Sequence, residues 1–92
     1  MAGSRYIADA DVLGVTEALE GLTLLFDARS GQTHILAPPA PQILEALAGR
    51  AGDAEDVLAR IGERFDLQAQ DPAAAVRARL AELEAAGLVR RP

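Results

Sequence analysis

The chain has 92 residues, 50% apolar and 25% charged, enough for one small soluble domain with a modest core and little material for a deep catalytic cleft. Its net charge of -5 and pI of about 4.7 argue against non-specific affinity for nucleic acid or anionic membranes and favour neutral or basic partners. The absence of cysteine excludes disulfides, thiol catalysis and Cys-ligated zinc; with no membrane-length apolar run and no signal-peptide order in MAGSRYIADAD, the cytoplasm is the expected compartment.

Residues 1–10 mix small and polar types around Tyr6 and Ile7, a pattern that fits either a loose arm or a short extended piece. From Val12 to Leu19, VLGVTEAL is partly β-branched and ends at Glu20-Gly21, which predicts a strand and a turn. In LTLLFD, Leu22, Leu24 and Phe26 share one face by period two; Thr23, Leu25 and Asp27 share the other, where Leu25 makes the alternation imperfect. The turn ARSGQ offers Ser30-Gly31, whose glycine tolerates the positive φ of a short hairpin loop, and THIL then returns.

APPAP ends that strand, since proline removes a ladder donor and holds the preceding residue extended. It also opens a helix over about 40–48, with Pro41 in the first turn, Ile43, Leu44 and Leu47 as its stripe and Gly49 as its stop. A second helix is predicted in GDAEDVLARIGERF: Asp53 is the N-cap, and Val57, Leu58, Ile61 and Phe65 follow at helical spacing. The third is DPAAAVRARLAELEAAGLV, capped by Asp71, begun by Pro72, striped by Val76, Leu80 and Leu83, and ended at Gly87; Leu88 and Val89 can then close over the core. Strands first and helices after give an α+β, winged-helix-like fold in which three helices cover one face of a small antiparallel three-stranded sheet.

His34, the lone histidine, is the first suspect for catalysis, but it has no second histidine, cysteine or HExxH-type spacing to assemble a site with. A structural or peptide-facing role is the better expectation. Asp53, Glu55 and Asp56 suit a helix N-terminus without any cation. Arg77, Arg79, Arg90 and Arg91 are interrupted by Glu82 and Glu84, which reads as charge pairing on a solvated helix. The glycines are scattered singly, so no phosphate loop is present, and no catalytic residue, metal or cofactor is expected.

The hairpin, the Leu-Ala-Pro bend, the ILEAL helix and the closing LAELEAAGLV together resemble the PqqD family of peptide chaperones over about residues 12–90. Within it, DARSGQTHIL and PPAPQILEAL look most like the PqqD-like proteins of the HPr-related kinase A system. One departure is that Leu36 is followed by Ala37 where the family commonly has asparagine, which removes an amide that could tie the strand end to the first helix. The resemblance implies a RiPP recognition element, which binds the leader of a ribosomally made precursor peptide and presents it to a modifying enzyme. The peptide would add as a strand along Thr33, His34, Ile35, Leu36 and Ala37, beside Val76, Arg77, Leu80 and Glu84 of the third helix. The physics agrees with that mode, because an open sheet edge offers unpaired N–H and C=O groups to an extended segment.

Two other classes stay open. A structural or regulatory subunit of a kinase-like or nucleotidyltransferase partner would use the same edge and groove without a peptide, and the edge could equally pair with a second copy of the chain. A winged-helix DNA-binding regulator would need a basic recognition helix, which Glu82, Glu84 and the net charge oppose.

Overall fold

The structure is a computed structural model that describes residues 4–62 and 70–92. Its element order is β1 (Thr16–Leu19), β2 (Leu22–Asp27), β3 (Gln32–Leu36), α1 (Ala40–Leu47), α2 (Ala54–Ile61) and α3 (Pro72–Ala85). The strands form an antiparallel sheet in the order β1-β2-β3. The predicted α+β layout, three strands and then three helices, is therefore present.

The hairpin turns are local chemistry. Glu20 and Gly21 have φ of 50° and 82°, the double left-handed geometry of a two-residue hairpin loop matched to strand twist. Between β2 and β3, Gly31 takes φ 72° and its N–H donates to the Asp27 carbonyl at 2.8 Å. The Asp27 carboxylate accepts from the Ser30 hydroxyl at 3.0 Å and the Arg29 N–H at 3.1 Å, the Ser30 bond chiefly holding its pKa below the ordinary aspartate value. The strand predicted from Val12 is shorter than expected and begins at Thr16. Upstream, the Val12 and Gly14 N–H groups donate to the Asp9 and Asp11 carbonyls, so the chain is coiled into turns where it would otherwise extend.

The helix signals act where they were placed. The Asp53 carboxylate accepts from the Asp56 N–H at 2.8 Å and the Asp56 carboxylate from the Asp53 N–H at 3.0 Å, a reciprocal box that satisfies two otherwise orphaned donors. That backbone bond from Asp53 is the main reason the Asp56 carboxyl is held below its usual range. Asp71 caps α3 through the Ala74 N–H at 3.1 Å, and Pro72 occupies the first turn. Phe65, expected to extend the α2 stripe, lies outside the described residues.

Ile43, Leu44 and Leu47 of α1, Val57 and Ile61 of α2, and Val76, Leu80 and Leu83 of α3 are buried together with Leu25 and Leu36 from the sheet. Residues 6–8 are an extended piece rather than a loose arm. Tyr6 exchanges backbone bonds with Gly52, Ile7 with Arg90, and the Ala8 N–H donates to the Leu47 carbonyl. The arm thus ties the α1–α2 connection to the C-terminal tail. Arg60 secures the same connection, donating to the carbonyls of Ala46 and Ala51 at 2.9 Å each.

Only one side of the sheet faces the helices. Leu25 pairs with His34 and Thr23 with Leu36, and residues directly opposite share a face, so Leu25, His34 and Leu36 all point to the helical layer. Leu22, Leu24 and Phe26 lie on the other side. The predicted alternation is real, yet the face with the single leucine is the one the helices bury.

Candidate peptide-binding groove

Between β3 and α3 runs an open groove of about 350 Å³. One wall is His34, Ile35, Leu36 and Ala37, continuing into Pro38 and Ala40; the other is Arg79, Glu82, Leu83 and Ala86, and Leu88 also lines it. On α3 these positions are i, i+3, i+4 and i+7, one continuous helix face. No described strand pairs with the far side of β3, so its backbone edge borders the groove.

Leu88 reaches the groove because of how α3 ends. Gly87 has φ 79°, its N–H donates to the Glu84 carbonyl at 3.0 Å, and the Leu88 N–H donates to the Leu83 carbonyl at 2.9 Å. This is the two-bond helix stop that reverses the chain at a left-handed glycine and brings the following apolar residue back to the last turn. Leu83 and Leu88 are 4% and 3% exposed, so this part of the groove is apolar and already packed.

Polar groups rim it. Arg79 pairs with Glu82 at 2.7 Å on the exposed flank, a contact of small energetic weight in water. His34 Nε2 and Arg79 Nε, both shielded from solvent, have no hydrogen-bond partner among the described residues. A buried nitrogen without a partner carries a desolvation cost that an incoming carbonyl can remove.

The strand half of the predicted set, His34 through Ala37, is assembled in the groove; Thr33 is exposed on the opposite face of β3. The helix half lies elsewhere. Val76 and Leu80 are buried in the core at 0% and 1% exposure, Arg77 is exposed, and Glu84 holds Arg91 at 3.1 Å. The groove face of α3 is instead Arg79, Glu82, Leu83 and Ala86, none of which belongs to that set. The spacing signal existed, since Leu83 heads a face that runs back to Arg79 and on to Ala86. Nothing in a helical stripe says which neighbour each flank will meet.

Among the described residues, no group of three or more His, Cys, Asp or Glu is placed to hold a metal ion, and no helix is long and apolar enough to cross a membrane. Residues 23–89, most of the chain and all of the groove, match the family described as coenzyme PQQ synthesis protein D (PqqD). The chain belongs to the PqqD family. PqqD proteins are non-catalytic accessory chaperones that bind a precursor peptide and work with a modifying enzyme in PQQ synthesis. No curated protein and no solved structure matches the chain. The PqqD match begins at Thr23 and thus takes in most of β2, all of β3 and all three helices, leaving β1 outside it.

Proposed function

We propose that this PqqD-family chain is a peptide chaperone that binds the leader of a ribosomally made precursor by strand addition to β3 and presents it to a modifying enzyme. The observation that carries the reading is the open β3 edge lying beside the apolar groove. An extended peptide laid there gains backbone hydrogen bonds from the edge, while alternate side chains meet Leu36, Leu83 and Leu88. His34 and Arg79 are poised to add polar contacts. The role is non-catalytic and cytoplasmic, and it needs no cofactor.

The motifs DARSGQTHIL and PPAPQILEAL favour the branch associated with the HPr-related kinase A system, which adds a kinase-like protein to the proposed partners beside the modifying enzyme. The test is a titration of labelled protein with the precursor-like peptide encoded beside it, in salt that suppresses contacts made by charge alone. Saturable amide shifts at residues 33–37 and along Arg79–Ala86 are expected. A folded protein without saturable shifts removes this reading for that peptide and leaves a structural subunit of the kinase-like partner.

A further inference from the structure

The outward face of β2 is apolar throughout, with Leu22, Leu24 and Phe26, while its inward face sets Leu25 between Thr23 and Asp27; this is unusual for a small antiparallel sheet with helices on one side only. Such a sheet ordinarily turns polar side chains to water. Here the outward rows are Val15–Phe26–Thr33, Glu17–Leu24–Ile35 and Leu19–Leu22. Ile35 is 68% exposed, Val15 58% and Leu19 55%. Single exposed hydrophobics are normal, but a contiguous apolar patch marks an interaction surface. A sheet whose outward face is this apolar is suited to being covered on that side as well.

We propose that the outer face of this sheet docks an amphipathic helix of a partner protein, one whose apolar stripe is flanked by lysine or arginine. The occupant follows from charge and geometry. Glu17 stands within the apolar rows and Glu20 at the tip of the hairpin, and neither is in a salt bridge with a described residue. The outward positions of the three strands carry no cation, and Arg29 in the β2–β3 turn is held by Asp9 at 2.6 Å. A second copy would bring two faces of the same acidic character together in a protein already at -5. A strand could hydrogen-bond only at a sheet edge, whereas a helix packs on the face itself. The face is on the opposite side of the sheet from the helices, so it stays open whether or not the groove is filled, and the inference stands apart from leader binding.

The test uses labelled full-length protein and two designed helical peptides of about eighteen residues, both with a leucine stripe, one flanked by lysines and one by glutamates. Saturable shifts at Val15, Glu17, Leu19, Leu22, Leu24, Phe26 and Ile35 are expected, with the lysine peptide binding about three-fold tighter, the scale of one exposed ion pair. Glu17→Lys should reverse that preference and Glu17→Gln should abolish it, at an exposed position where neither change disturbs the core. Equal binding of both peptides, unaffected by either variant, overturns the proposal, as do shifts confined to Leu83 and Ala86. Peptide-free dimerisation in sedimentation, with shifts on the same face, would assign the surface to a second copy and overturn it too.

Discussion

His34 lies directly opposite Leu25 in the β2–β3 register, which places the lone histidine on the helical side of the sheet and at the wall of the groove. Leu25 is 1% exposed, whereas the Nε2 of its neighbour is enclosed without a hydrogen-bond partner among the described residues. His34→Phe should keep the fold and weaken leader binding by about ten-fold, the scale of one lost hydrogen bond in a desolvated site. Calorimetric titration with the precursor-like peptide reads the loss.

The two faces of the sheet should respond differently to truncation. Leu25→Ala is expected to cost about 2–5 kcal/mol, because it leaves a cavity in the core. Ile35→Ala, on the outer face of β3, should cost less than about 1 kcal/mol. Urea unfolding of both variants checks the order, and the reverse order would contradict the assignment of the buried side.

Ala86 is exposed and lines the groove at the end of α3. Ala86→Phe should fill the groove while leaving the core intact. The expected result is an unchanged circular dichroism spectrum with peptide affinity lowered by at least about ten-fold. Normal affinity would mean that the peptide binds elsewhere.

Gly87 adopts φ 79° with open space where a Cβ would stand, so a substitution there meets backbone strain and no clash. Gly87→Ala should therefore cost about 1–2 kcal/mol. It should also shift the amide signals of Leu83 and Leu88, which the helix stop joins. Thermal unfolding together with an amide spectrum reads both effects.

Asp27 and Asp56 both have carboxyls held below the ordinary aspartate range, by the Ser30 hydroxyl and by the Asp53 N–H respectively. A lowered pKa in the folded state means that the unfolded chain takes up protons first as pH falls. Their stabilisation is thus complete above the unfolded value of about 3.9 and is lost as pH drops through the lowered folded value. Asp27→Asn should be less stable than the parent near neutrality, with the gap closing in acid. Unfolding midpoints at about pH 7 and about pH 3 test that sign.

The sequence by itself determined the exclusions and the local stops and starts. Composition ruled out thiol chemistry, and Asp53, Asp71, Pro72 and Gly87 marked helix ends because capping is settled by residues three or four positions apart. Glu20-Gly21 and Ser30-Gly31 located the hairpin turns for the same reason. The tertiary structure decided which side of β2 is buried, since a strand with leucines on both faces is ambiguous until the helices cover one of them. It also decided that Arg79, Glu82, Leu83 and Ala86 line the groove beside β3, while Val76 and Leu80 are taken up by the core. The rotation of α3 about its own axis depends on contacts with α1, α2 and the tail, and these are long-range. The extended piece at Tyr6–Ala8 is the same case: its bonds to Gly52, Arg90 and Leu47 join segments far apart in the chain, and no local pattern encodes them.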